Sequence, residues 1–420
     1  MKISSVKKQV LEKFTLSKKY ESILDKKANE ILKKLKSASP KDVKIGIGGS
    51  LAKKTLVEKP VQDIDIFVAF KDDTKDLEKI IKKAKLKARK IHGSRDYFKI
   101  EETLGKKPII YEIIPVKQIT KPEEVENVTD FSLKHVNYVK SNINKNKKLA
   151  DEIKIAKTFC HANNCYGAES YIKGFSGYAL EILVIYFKTF ENFLKQIQKE
   201  NIIDPEKQFK NKKQILTELN ESKLISPIIL VDPVYKYRNV CAGLSKETFE
   251  KQFLPKARQF LKNPSLNLFE EKSFNQKQFE KKANGKDKKF IEIKLETEKQ
   301  EGDIAATKMK KFFDFIIQTL EEKQQKVTSK HFEYLHENQD TKTNGKTAKA
   351  YLIIKTKPEI ERKGPPLNLE FAVKKFKQAN KKTYKKQGHL YTKNKIDLKE
   401  IFNKIKEFEQ DMDVALEVSS

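Results

Sequence analysis

Cysteine is scarce: the chain has three, Cys160, Cys165 and Cys241, and no Cys-x-x-Cys pair, which excludes a disulfide framework and a structural zinc site from the expected architecture. Uninterrupted apolar runs long enough to cross a bilayer are missing as well, so no membrane-spanning helix is expected. The first residues, Met1 to Val6, lead into a charged amphipathic helix without an apolar core; no signal peptide is expected, and a reduced cytoplasm is the expected compartment. Acidic residues are few beside basic ones, 58 Asp and Glu against 88 Lys and Arg, a formal charge of +30. That excess is larger than solubility requires and points to a polyanionic partner. The lysines are spread along the whole length instead of gathering in a terminal anchor, which places RNA or DNA ahead of a membrane surface.

What the chain does have is a stretch from Gly48 to Phe70 with the pattern of a catalytic centre. Val43, Ile45 and Ile47 form an apolar, β-branched run into Gly48-Gly49, and Ser50 is placed to cap a short helix through Leu56, giving strand, tight turn and helix N-terminus. That arrangement suits a phosphate. About a dozen residues on comes Asp63-Ile64-Asp65-Ile66-Phe67-Val68, an alternating strand that puts both carboxylates on one face and Ile64, Ile66 and Val68 on the other. Two like charges side by side call for a cation, and Mg2+ suits carboxylate oxygens and substrate phosphates together. A further carboxylate, Glu112, interrupts the apolar strand Pro108-Ile109-Ile110-Tyr111-Glu112-Ile113-Ile114-Pro115, where a charge needs a partner.

The Gly-Gly-Ser turn followed by Asp-x-Asp resembles the nucleotidyltransferase superfamily that includes DNA polymerase β, in which Glu112 would be the third carboxylate. Later stretches narrow the resemblance. Lys157 to Glu169 (KTFCHANNCYGAE), Lys173 to Tyr178 (KGFSGY), Val231 to Val240 (VDPVYKYRNV), Gly364-Pro365 and Val373 to Phe376 together resemble the archaeal-type, class I, CCA-adding enzymes over nearly the whole chain and in the same order. The resemblance implies a tRNA nucleotidyltransferase that adds C, C and A to the 3′ end of tRNA from CTP and ATP, without a nucleic-acid template, by two-metal chemistry with Mg2+. It implies that Asp63, Asp65 and Glu112 are catalytic and hold the metal, with Glu112 standing where the family typically has Asp. Ser50 and Lys53 fall where the family binds the triphosphate, Lys53 replacing the usual Arg and so keeping the charge without the bidentate fork. His135, Lys157 and Tyr166 match residues lining the triphosphate and sugar. Arg238 matches a residue that helps to read the incoming base together with RNA phosphate; its neighbours Tyr235, Lys236 and Tyr237 also suit stacking and phosphate contact.

The expected fold class is a multidomain α+β protein. Its parts would be a nucleotidyltransferase palm with a mixed sheet at 1–135, a helical central domain at 136–270 that binds nucleotide and the tRNA end, and a C-terminal α+β RNA-binding domain at 271–420. Two amphipathic stripes before Lys36 are expected to cover the palm sheet. Lys75 to Ile91 reads as a helix, Asp96 to Glu102 as a strand, and the palm ends near Pro122. Gly177 to Phe193 reads as one buried helix, in which Glu181 holds the nearby turn or an arginine. Lys272 to Lys289 reads as a linker. After it, Phe290 to Leu295, Ile304 to Glu322, Val327 to Tyr334, Ala348 to Thr356, Leu369 to Ala379 and His389 to Thr392 follow the order β-α-β-β-α-β of a ferredoxin-like layer. No aromatic pair is evident in the stacking strands of that layer, so its lysines are expected to grip helical RNA by the backbone, which in the family means the acceptor stem and T arm of tRNA. The family resemblance also implies a shortened segment after Lys395. Monomer and homodimer both stay open. A poly(A)-type terminal nucleotidyltransferase and a catalytically weak RNA-binding relative are the alternative functions.

Overall fold

Contacts in the computed structural model divide the chain into two units, residues 1–168 with 172–272 and residues 169–171 with 273–420. The structure describes all residues except 72–75, 93–94, 106, 120–126, 286, 301, 336–345, 358, 396 and 420.

The first unit opens with α1 (Ile3–Phe14) and α2 (Lys18–Ala38). Ser17 caps α2 through the Tyr20 N–H, and Leu24, Ala28, Ile31 and Leu35 recur at helical spacing along its buried stripe. The strands β1 (Lys44–Ile47), β2 (Gln62–Phe70), β3 (Arg89–Ile91), β4 (Tyr97–Leu104) and β5 (Lys107–Lys117) form one sheet in the order β1-β2-β5-β4-β3. Only β2 and β5 run parallel, so the sheet is mixed, as the sequence led one to expect. The α2 stripe packs on Ile64, Ile66, Val68, Tyr111 and Ile113. By contrast Val6 and Val10 of α1 turn away from the sheet and enter the helical core of the unit, so only the second stripe covers the palm.

Between β1 and β2 lies α3 (Gly49–Lys53), and between β2 and β3 lies α4 (Leu77–Lys83). The helix expected over Lys75 to Ile91 is therefore shorter. Lys85 takes a left-handed conformation, φ 53°, which no helix continues through, and Arg89–Ile91 pairs with β4 as an edge strand. Lys75 and Pro122 lie outside the described residues.

A helical layer follows: α5 (Ser132–Lys145), α6 (Lys148–Ala162), α7 (Gly177–Phe187), α8 (Phe190–Gln196), α9 (Lys212–Glu218) and α10 (Leu254–Lys262), with the short parallel pair β6 (Ile202–Ile203) and β7 (Ile229–Leu230). The expected helix from Gly177 to Phe193 is broken after Phe187. Lys188 is left-handed, φ 70°, and Thr189 caps α8 through the Asn192 N–H. α7 is buried on nearly its whole circumference, and Phe159, Phe190, Phe253, Phe260 and Phe269 pack edge and tilt around one another in the same core.

In the second unit, α11 (Gln276–Glu280) lies within the expected linker, and β8 (Lys288–Glu296), α12 (Gly302–Glu322), β9 (Lys326–Leu335) and β10 (Thr347–Lys355) follow as anticipated. Then β11 (Glu359–Pro366), α13 (Glu370–Ala379), β12 (Thr383–Lys386) and β13 (His389–Lys395) depart from expectation: the three strands form a separate sheet, β11-β13-β12. The ferredoxin-like layer is instead closed by α14 (Leu398–Lys406) and, after the single turn α15 (Glu409–Met412), by β14 (Ala415–Ser419), giving the antiparallel order β14-β8-β10-β9. The β-α-β-β-α-β order survives, with its last two elements supplied by residues after Lys395. An aromatic pair does occupy the outer face, contrary to expectation: Phe290 and Tyr351 lie on neighbouring strands with ring centroids 6.1 Å apart. Phe274 stacks on Tyr351 and on His331, at 4.8 and 3.7 Å, so the protein's own ring occupies that platform.

Candidate active site

Strand alternation sorts β2 into two faces. Ile64, Ile66, Val68 and Phe70 join the α2 core, while Phe67 and Ala69, with Ile114 and Val116 of β5, pack beneath Leu133 of α5. Asp63 and Asp65 belong to this second face, and the parallel register sets Asp65 opposite Glu112. All three predicted carboxylates therefore share one face of the sheet. Asp63 is exposed and has Lys59 Nζ at 3.6 Å; Asp65 is half-buried. Burial, and then the charge of Asp63, push the Asp65 carboxyl above the ordinary carboxylate range, while Lys53 and Lys59 pull it back. No group of three His, Cys, Asp or Glu is gathered into a ligand cage among the described residues. The chemistry of the Asp63–Asp65 pair nonetheless fits a hard divalent cation: two carboxylates on one strand face repel each other, and a hard positive charge between their oxygens relieves that repulsion.

The turn above them depends on glycine. Gly49 is left-handed, φ 58°, and a Cβ there would overlap the Asp65 carboxylate; a Cβ on Gly48 would overlap the Phe67 ring. Gly48 donates its N–H to the Asp65 carbonyl at 2.8 Å. Gly48, and not Ser50, is the N-cap of α3, and left-handed Lys54 stops the helix after Lys53, short of Leu56. Ser50 sits in the first turn, its carbonyl accepting from Thr55 N–H at 3.0 Å.

Lys53 and Lys157 come from α3 and α6 and meet at one carboxylate. Lys53 Nζ donates to Glu181 Oε2 at 2.7 Å, and Lys157 Nζ donates to Glu181 Oε1 at 2.8 Å. The Thr55 hydroxyl donates to the same Oε1 at 3.0 Å and accepts from Lys157 at 2.9 Å. Glu181 and Lys157 are 1% and 2% exposed, Lys53 8%. Burial alone would raise the Glu181 carboxyl, but Lys157 and Lys53 hold it down at about 2; burial pushes Lys157 down to about 8, with Glu181 opposing. Glu181 thus holds two lysines, where the sequence pointed to a turn or an arginine.

A second polar cluster adjoins the first. Asp232, wholly buried, has Oδ2 3.0 Å from His135 Nε2 and 2.9 Å from Arg238 Nη1, and Oδ1 accepts from the Tyr178 hydroxyl at 3.1 Å and from Val234 N–H at 2.9 Å. Burial lowers the His135 pKa, Asp232 resisting; Asp232 stays below its ordinary value despite burial, through the hydrogen bond and charge of His135 and the charge of Arg238. The Tyr178 ring joins the clusters: it lies 4.1 Å from the His135 ring, with Lys53 Nζ and Arg238 Cζ at 5.7 and 5.8 Å from its centroid. Tyr235 is taken up in a stack on Phe131 at 4.8 Å, which leaves Tyr237 as the exposed aromatic beside Arg238. Tyr166 stacks on His161 at 3.7 Å, has Lys59 Nζ 5.6 Å from its ring, and places its hydroxyl where a Cβ on Gly177 would come within 2.7 Å of it.

The nine predicted residues therefore occupy one neighbourhood of the first unit: Asp63 pairs with Lys59, whose ammonium lies over the Tyr166 ring, Asp65 underlies Gly49, and Lys53 leads through Glu181 to Lys157 and through Tyr178 to His135 and Arg238. Sequence reasoning missed Thr55, Tyr178 and Asp232. Asp232 carried a signal, an Asp-Pro turn inside the stretch that also holds Arg238; Thr55 carried none.

A family model described as "Nucleotidyltransferase domain" matches residues 28–135, and one described as "tRNA nucleotidyltransferase, second domain" matches residues 151–270. A CCA-adding enzyme of Nanoarchaeum equitans is 35% identical over 389 residues, 90% of each chain. The CCA-adding enzyme of Pyrococcus abyssi is 33% identical over 64% of this chain and 61% of its own. A solved structure of the Cid1 poly(U) polymerase aligns with TM-score 0.51 and 13% identity over 65% of this chain and all of that one, a likeness of fold.

Proposed function

The chain belongs to the family of CCA-adding enzymes, and on that premise we propose how its own residues add C, C and A to the 3′ end of tRNA. It is a tRNA nucleotidyltransferase that takes CTP and ATP and releases pyrophosphate. The observation that carries the residue assignment is the shared sheet face of Asp63, Asp65 and Glu112, set beside two buried lysines.

Nucleotidyltransferases use divalent metal ions, and Asp63, Asp65 and Glu112 would hold Mg2+ here. When bound, Mg2+ lowers the pKa of the primer 3′-hydroxyl and neutralises the departing pyrophosphate. Ser50 and Lys53 receive the triphosphate, Lys157, Tyr166 and His135 line it and the sugar, and Arg238, anchored by Asp232, reads the base edge with the RNA end. Arg238 is suited to that work because its guanidinium is already oriented and still partly exposed. Residues 1–135 would serve as the palm and 136–270 as the nucleotide and primer-end domain, while the lysines of 271–420 hold the acceptor stem and T arm by backbone charge. Every proposed catalytic residue comes from the first unit of one chain, so a monomer is sufficient for the chemistry. No described helix is long and apolar enough to cross a membrane, and we place the enzyme in the cytoplasm with its tRNA.

The test is incorporation of labelled CTP and ATP, with Mg2+, onto tRNA transcripts ending before the CCA, after one C and after two, beside an unstructured RNA. Ordered C, C, A addition confined to tRNA is expected, with Asp63→Ala losing it. Runs of one nucleotide on any RNA would instead establish a terminal polymerase like the fold neighbour, and full activity in Asp63→Ala would overturn the carboxylate assignment.

A further inference from the structure

Lys157 has no hydrogen-bonding capacity left over. Its three ammonium protons are matched by Glu181 Oε1 at 2.8 Å, Thr55 Oγ1 at 2.9 Å and the Thr55 carbonyl at 3.4 Å. Lys53 differs: among the described residues its ammonium makes one hydrogen bond, to Glu181, and two donors remain over the Tyr178 ring. Among the described residues, the carboxylate that separates them is the single negative charge in direct contact with either lysine, and it sits on α7, an otherwise apolar helix. A buried carboxylate is costly on such a helix unless it is paired and hydrogen-bonded, as Glu181 is by Lys53, Thr55 and Lys157.

We propose that Glu181 is a positioning residue for the nucleotide's phosphates: it fixes Lys157 as an immobile strut and aims Lys53 as the lysine that meets the triphosphate. Taken together, two ammoniums and one carboxylate give the seat a single net positive charge. A seat with two unpaired buried ammoniums would be self-repelling and one would lose its proton, whereas a seat without lysines would offer the phosphates nothing. Glu181 holds the seat between these extremes, and because Lys53 lies on α3 and Lys157 on α6, it also fixes the distance between the two elements. The proposal rests on the assignment of this cluster as the triphosphate seat.

The experiment compares wild type with Glu181→Gln and Glu181→Asp, measuring KM for CTP, ATP and tRNA, kcat, ATP binding without tRNA by equilibrium dialysis, and the pH profile of kcat/KM. In Glu181→Gln, KM for CTP and for ATP should rise together by about tenfold or more, the size of one charge-assisted hydrogen bond, with KM for tRNA unchanged. The alkaline limb of the profile should move to lower pH, since burial, Lys53 and Lys59 oppose a proton on Lys157 and the charge of Glu181 favours it. Glu181→Asp, shorter by one methylene, reaches one lysine at a time and should fall between; it decides the matter if the glutamine variant does not fold. Unchanged nucleotide KM and pH limb in Glu181→Asp, or KM values for nucleotide and tRNA that worsen alike, would overturn the proposal. If Lys53→Met and Lys157→Met leave nucleotide KM unchanged, the seat assignment itself is wrong, an outcome separable from the failure of Glu181 alone.

Discussion

His161 shows how a single side chain can report on this site without entering its chemistry. It lies flat against Tyr166, its Nε2 is buried without a hydrogen-bond partner among the described residues, and burial, then the charges of Lys59 and Lys157, push its pKa down to about 3. The unfolded chain binds that proton near pH 6.5, the folded chain only near 3, so acidification between those values favours unfolding. Replacing His161 by Phe keeps the ring and removes the titration. The variant should be more stable than wild type at pH 5 by about 1–2 kcal/mol, and little changed at pH 8, when both are melted in parallel. At this scale the sequence was most legible where chemistry and spacing coincide: Asp63 and Asp65 share a face because side chains two apart in a strand must. The partners of Lys53 and Lys157 were not legible, because Glu181 lies 128 and 24 residues away and a lone carboxylate in an apolar helix has no spacing to interpret.

At the scale of elements, local pattern identified strands and helices but could not assign them to sheets. The pair α13 and β13 fits the last two places of the ferredoxin-like order as well as α14 and β14 do, and only tertiary packing separates them. Ile401, Phe402 and Ile405 of α14 and Leu416 of β14 lie in the core with Phe312, Phe313 and Ile293, whereas α13 buries none of its residues fully. Phe402→Ala should therefore cost about 3 kcal/mol in the second unit's denaturant transition, through lost burial and the cavity left behind. An equivalent loss at Phe376 of α13, of comparable size, would show that the wrong helix has been assigned to the layer. The broken helix at Lys188 and the short α4 have a shared cause: left-handed lysines, a conformation that side-chain patterning does not register.

For the molecule as a whole, the formal charge of +30 is the property that needed no structure to be seen. Surface lysines that neutralise phosphates release counterions, so tRNA affinity should fall by about a thousandfold between 50 and 200 mM salt if six or more phosphates are met. Filter binding across a salt series measures it; a flat dependence would mean that the lysines are solvating charge only. A specific apolar or base-stacking surface would also give a flat series, and the Phe290–Tyr351 face, where such stacking would be sought, is already filled by Phe274.

The two matched segments, 28–135 and 151–270, have a bearing on descent. The threonine and one lysine of the buried quartet lie in the first, and the other lysine and the glutamate in the second. Recombination between distant relatives at the intervening joint would separate residues that are tolerable in the interior only in each other's company. The segments are distinct as sequence families, yet a charge change at Glu181 in the second leaves Lys53 in the first without its partner.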